Sequence, residues 1–152
     1  MDERLTPERI VELLGLTPLV PEGGHVRQTH LDARSSAIYY LMEAPDFSGL
    51  HRLEHLEIWA YHAGSPVALL LIDEVGTVTE PVLGPDLDAG QRPQVVVPPG
   101  MWQAAEPLGA WSLVSTFMAP PYSDEVISFA RWADFGGRHP AHDARIRRLC
   151  RF

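Results

Sequence analysis

Prolines and glycines interrupt this chain so often that long helices are ruled out. Fourteen Pro and 12 Gly are spread through 152 residues. Proline lacks the backbone donor that a helix interior needs, and glycine costs conformational entropy there. The apolar runs between them are short: "SSAIYYLME", "LEIWAY", "PVALLLID", "QVVVP" and "AWSLVSTFMAP". They are rich in β-branched and aromatic residues, which suit strands. Turn sequences such as "APDFSG" and "PPG" separate them. The pattern predicts an all-β sandwich or barrel with a short helix at each end. The length fits one domain over residues 1–152, with a core at about 20–130 and a helical tail over 131–152.

The two helices have clear signals. In "TPERIVELLGL", Thr6 is placed to cap, Pro7 suits the first helical position, and Gly15 can end the helix. A helix over residues 7–14 is predicted. The closing "HPAHDARIRRLCRF" reads as a second helix with a basic face.

Composition removes several function classes. The net charge of −8 disfavours nucleic-acid binding. The longest apolar run, "VALLLI", is too short to span a bilayer, and "MDERLTPERI" is not a signal peptide. The expectation is a cytoplasmic protein with no membrane partner. Every basic residue is Arg, so lysine Schiff-base chemistry is excluded. Cys150, the only cysteine, cannot form an internal disulfide. Its arginine neighbours 147, 148 and 151 could lower its pKa, yet a tail cysteine reads as incidental.

The richest stretch is "HRLEHLEIWAYHAG", residues 51–64. "HRLEH" has the H-x-x-E-H order of one zinc-protease class, which requires a helix. The turn residues on both sides and the β-prone "EIWAY" argue for strands instead. Side chains on a strand alternate faces. An inward His51 places Leu53 inward too, and after a turn at Glu54 and His55 an inward Glu57 brings Trp59 and Tyr61. One face then collects His51, Glu57, Trp59 and Tyr61, a set of aromatic walls and polar groups suited to a ligand pocket. Ile58, Ala60 and His62 point the other way. Only one of Tyr39 and Tyr40 can face the pocket. Arg27, in a predicted strand after Gly23 and Gly24, either binds an anionic substrate group or pairs with an acidic neighbour. Trp59 and Trp102 also have a plain packing role, and His139 and His142 read as surface residues of the tail.

The motifs resemble the cupins. His51, Glu57 and Gly64 fall in register with G-x5-H-x-H-x3,4-E-x6-G, with Leu53 where the second histidine belongs. "PPGMWQ" supplies Pro98, Gly100 and then Gln103 in place of the histidine of P-x-G-x2-H. With "LGLTPLVPEGGHVRQT", "SSAIYYLME" and "RHPAHDARIRRL", the chain resembles the cupin-5 family (DUF985) over nearly its full length. The resemblance implies a double-stranded β-helix, or jelly roll, with a pocket inside the barrel, and a homodimer. The family has been compared with cupins that epimerise deoxysugar nucleotides. This chain departs from the family pattern at His25, Gln28, His30 and Ala60.

A typical metal cupin presents three histidines and a carboxylate. His51, Glu57 and Gln103 remain, a set that could hold a divalent ion weakly but reads better as a hydrogen-bonded polar cluster. Gln103 facing inward would turn Trp102 outward. The expected function is handling of a small polar or anionic metabolite by a metal-independent isomerase, epimerase or lyase. His51 and Glu57 are its acid–base pair; Arg27, Trp59, Tyr61 and Gln103 bind substrate. The alternatives are a non-catalytic metabolite binder and a cupin enzyme with a weakly bound metal.

Overall fold

The computed structural model describes residues 5–152. Helix α1 is Pro7–Leu14, the span its caps predict. The Thr6 hydroxyl accepts from the Arg9 amide at 3.2 Å, and Gly15 ends the helix at φ 66°. Twelve strands follow: β1 (Thr17–Pro18), β2 (His25–Leu31), β3 (Ser36–Glu43), β4 (Ser48–Leu53), β5 (Leu56–Gly64), β6 (Val67–Ile72), β7 (Val78–Thr79), β8 (Val82–Leu83), β9 (Gln94–Val97), β10 (Trp102–Pro107), β11 (Trp111–Ala119) and β12 (Ile127–Phe129). Two short helices close the described chain, α2 (Trp132–Phe135) and α3 (Asp143–Leu149).

The strands form two antiparallel sheets. The first runs β1-β2-β3-β11-β5-β9, and the second β12-β4-β10-β6-β7, with β8 also on β6. Successive long strands switch between sheets: β3 lies in the first, β4 in the second, β5 in the first and β6 in the second. This is the expected jelly roll. Each inward side chain therefore meets residues of the opposite sheet.

One end of the barrel is filled. Met42, Trp59, Leu69, Leu83, Val97 and Val114 belong to a single buried apolar cluster there. Helix α1 covers part of the outer face of the first sheet, where Ile10 and Leu16 bury Leu41. The C-terminal helices cover the outer face of the second sheet, with Ile146, Leu149 and Phe135 over Leu50, Leu70 and Ala104. Burying each such aliphatic side chain contributes about 1.5–3 kcal/mol. Trp102 belongs to this outer layer, edge-on to Phe135 at 5.2 Å and beneath the Arg52 guanidinium, as alternation about Gln103 requires. Arg145 and Arg148 tie α3 to Glu106 of β10, and the hydrogen bond from Arg148 holds the Glu106 carboxyl below its usual range.

The tail corrects one expectation. The arginines around Cys150 point elsewhere: Arg147 lies over Trp132, Arg148 binds Glu106, and Arg151 binds Asp46. Burial pushes the Cys150 thiol up rather than down. No helix among the described residues is long and apolar enough to cross a membrane.

Candidate active site

The other end of the barrel holds a cavity of about 560 Å³. His51 and Leu53 reach it from β4, Glu57 and Trp59 from β5, and Tyr40 from β3. Alternation accounts for this grouping, since on β4 and on β5 the lining residues are two apart. Tyr40 lines the cavity, whereas Tyr39 packs outside with the α1 cluster.

His51 is only 2% exposed. Its Nδ1 lies 2.7 Å from the carbonyl oxygen of Gly49. A carbonyl only accepts, so this nitrogen carries the proton and donates. The other nitrogen, Nε2, is left for proton exchange and lies 3.5 Å from Oε1 of Glu22.

Glu22 is a site residue that sequence reading missed. It sits in the turn between β1 and β2, is buried, lines the cavity, and accepts from the Ser48 hydroxyl at 3.2 Å. Gly23 and Gly24 make this placement work. Both have positive φ, at 106° and 79°. A Cβ on Gly23 would fall 2.1 Å from the Phe47 carbonyl oxygen, and one on Gly24 2.4 Å from the Tyr40 ring. Only glycine fits both the conformation and the space. The backbone is then braced: the Gly24 amide donates to Asp46, the Gly49 amide to the Glu22 carbonyl, and Arg151 to the Glu22 carbonyl, Asp46 and the Phe47 carbonyl. The signal in the sequence is a carboxylate directly before a glycine pair.

Glu57 faces the same cavity but does not contact His51 in an ion pair; His51 is paired with Glu22. His51 thus has Glu22 as its ion-pair partner, and its charge also acts on the expected partner Glu57. Burial pushes the Glu57 carboxyl up to about 7, and the like charge of Glu22 adds to this. The charge of His51 pulls the other way without prevailing.

Gln103 is fully buried in β10, its Cα opposite that of His51. Its Oε1 accepts from the Trp59 indole at 2.8 Å, and its Nε2 has no partner among the described residues. Gln103 is not among the cavity-lining residues. It holds Trp59 in place from behind instead of meeting a ligand directly. Tyr61 also points into the barrel, but at the filled end: it packs on the apolar cluster and donates to the Gly64 carbonyl at 2.8 Å. A bulge between Leu113 and Val114 shifts the β5–β11 register at this point.

Arg27 departs furthest from expectation. It is exposed on β2, and its guanidinium donates to the Leu14 carbonyl at 3.2 Å. It therefore serves the C-terminal end of α1, where a cation suits the helix dipole, and takes no part in the cavity lining. His62 is exposed and bonded to Ser115, outside the barrel as parity predicts.

The residues present do not fit a cupin metal. Leu53 stands at one ligand position, and the Gln103 oxygen is engaged by Trp59. Among the described residues no group of three His, Cys, Asp or Glu side chains converges as ligands.

Comparison with known proteins places these features. A hypothetical protein from Leishmania major has TM-score 0.86 and 26% identity, covering 96% of this chain and 99% of that one. A Shewanella oneidensis protein has TM-score 0.88 and 28% identity, covering 96% and 98%. Oxalate decarboxylase from Bacillus subtilis shares the fold at TM-score 0.60 and 12% identity, covering 88% of this chain and 37% of that one. No curated protein matches the sequence. Residues 8–130 match Cupin_5, described as cupin superfamily (DUF985). The barrel, its inward His51 and Glu57, and a match across most of the length agree, and the chain belongs to the Cupin_5 family of the cupin superfamily.

Proposed function

We propose that this small-molecule cupin is an isomerase or lyase that moves a proton on a small polar metabolite without a metal. The observation that carries this reading is the locked His51 ring. Its Nδ1–H is held by the Gly49 carbonyl, and its Nε2 faces the cavity beside Glu22. Nε2 is the base. Once protonated it is stabilised by the Glu22 carboxylate. Glu57, with its carboxyl near 7, is poised to donate or accept the second proton. Removing a proton beside a carbonyl and returning it elsewhere gives isomerisation; removing it while protonating a β-hydroxyl, which leaves as water, gives dehydration.

The test is deuterium exchange in heavy water, read by NMR over a panel of small hydroxy- and amino-carbonyl compounds. The protein is expected to label a carbon-bound position in at least one compound. His51→Ala should slow this by about 10²–10⁴-fold. Undiminished exchange in His51→Ala refutes the role of His51. Activity lost to a chelator and restored by one metal favours the metal-dependent reading. A bound compound that returns unlabelled and unchanged favours a binding protein.

Assembly is proposed as a homodimer through the outer face of the first sheet. Val96, Ile58, Phe117 and Ala37 form a cross-strand apolar row there. Phe117 is 43% exposed and Val96 53%. Leu56 and Ala119 extend the row into an apolar groove. A second copy covering this face would remove an exposed apolar patch.

A further inference from the structure

The charges around the cavity are lopsided. Glu22, Glu57 and Asp124 line it, with His51 as the sole basic side chain in the lining. No guanidinium among the described residues reaches it, and the sequence contains no lysine. The arginines nearest in sequence to the lining residues are committed elsewhere. Arg27 serves the end of α1, and Arg52 lies over Trp102 on the outer face.

The most buried carboxylate of the lining is offset by no cation except His51. Glu57 is 6% exposed and makes no ion pair with an arginine among the described residues. An isolated buried carboxylate is costly, and a ligand that brings a positive charge removes that cost. The same negative field reaches the mouth. Tyr122 is pushed up to about 12, by burial first and then by Asp124, Glu22 and Glu57. Its hydroxyl donates to Asp124 at 3.0 Å.

The rest of the wall is apolar and aromatic. Trp59 and Tyr40 stack at 6.0 Å between centroids, and Phe129 stands 6.3 Å from the His51 ring. Ile38, Leu53 and Met118 fill the space between. Aromatic faces attract cations, and the attraction grows as water is excluded. A phosphate or carboxylate would meet three acidic groups and no guanidinium, a repulsive selection against anions.

We propose that the barrel recognises an organic ammonium: a protonated amine carried on an apolar or aromatic body. The ammonium sits between Glu22 and Glu57, and the body lies against Trp59, Tyr40 and Phe129. This rests on the reading of the barrel as the reaction chamber and narrows its substrate to amine-bearing compounds.

The experiment is a titration, by calorimetry, of the full chain with three probes of matched shape at neutral pH. They are phenethylammonium, 2-phenylethanol and 3-phenylpropanoate. The ammonium is expected to bind about tenfold tighter than the alcohol, and the carboxylate weakest. Glu22→Gln, checked for folding by circular dichroism, should erase the ammonium's advantage and leave the alcohol unchanged. If that variant fails to fold, Glu57→Gln carries the same comparison. Tightest binding by the carboxylate overturns the proposal, as does equal binding of all three. An ammonium preference that survives in a folded Glu22→Gln and in Glu57→Gln also overturns it. Manganese(II) alone binding at these carboxylates, with no preference among the organic probes, overturns it in favour of an inorganic cation site. Because the titration needs no turnover, the acid–base role of His51 can fail in the exchange assay while the ammonium preference stands, and the reverse.

Discussion

Glu57→Gln should stabilise the protein, and only above mildly acidic pH. The carboxyl titrates near its ordinary 4.5 in the unfolded chain and at about 7 in the barrel. Between those values the folded state holds a proton that the unfolded state has released. Stability is therefore greatest below about pH 4.5 as far as this group is concerned. It declines as pH rises, and the loss is complete above about 7. At about 1.4 kcal/mol per pH unit, the interval is worth roughly 3 kcal/mol. Glutamine has the shape of the protonated acid and never ionises. The variant should match the wild type at about pH 4 and below and exceed it at pH 8 by roughly 3 kcal/mol, or about 6–12 °C in melting temperature for a chain of this size. Urea titrations of both proteins across this range measure it. The difference between the two curves is the quantity to read, because titrations shared by both cancel. Parallel curves, or a variant less stable at pH 8, would refute the claim that burial and Glu22 set the Glu57 carboxyl.

Two further outcomes test the scaffold. Arg151→Ala removes the donor to Asp46, the Phe47 carbonyl and the Glu22 carbonyl. It should cost about 2 kcal/mol in denaturant unfolding, with little rescue by Arg151→Lys, since an ammonium cannot span the three acceptors in the same fork; unchanged stability contradicts the bracing role. Phe117→Glu places a charge in the apolar row of the first sheet and should convert a dimer to a monomer in sedimentation, whereas a wild-type monomer at micromolar concentration refutes the proposed interface.

What was legible in the sequence depended on local rules. Helix α1 matched residue for residue because Thr6, Pro7 and Gly15 act within one turn of its ends. His51, Glu57 and Trp59 fell on one face because strand alternation is a property of the backbone itself. The same rule overreached at Tyr61. Its face was right, but Tyr61 lies at the filled end of the barrel, packed on the apolar cluster. Arg27 lay outside any local rule, since its partner is the carbonyl at the end of a helix thirteen residues earlier. Glu22 was hidden for a related reason. Its neighbours in sequence say only that the chain turns. The residues that fix it, Ser48, His51 and Arg151, come from far along the chain. At Cys150 the arginines adjacent in sequence have other partners, so proximity along the chain did not lower its pKa.

The brace from Arg151 to the Glu22 turn also sets an order of events during synthesis. The two residues are 129 positions apart. At roughly 5–20 residues per second, Glu22 leaves the ribosome about 6–26 seconds before its clamp exists. The β-strands and His51 are made in the meantime. The turn that carries the acidic partner of His51 can be locked only after the strands around it have been completed, so the cavity is finished from the far end of the chain.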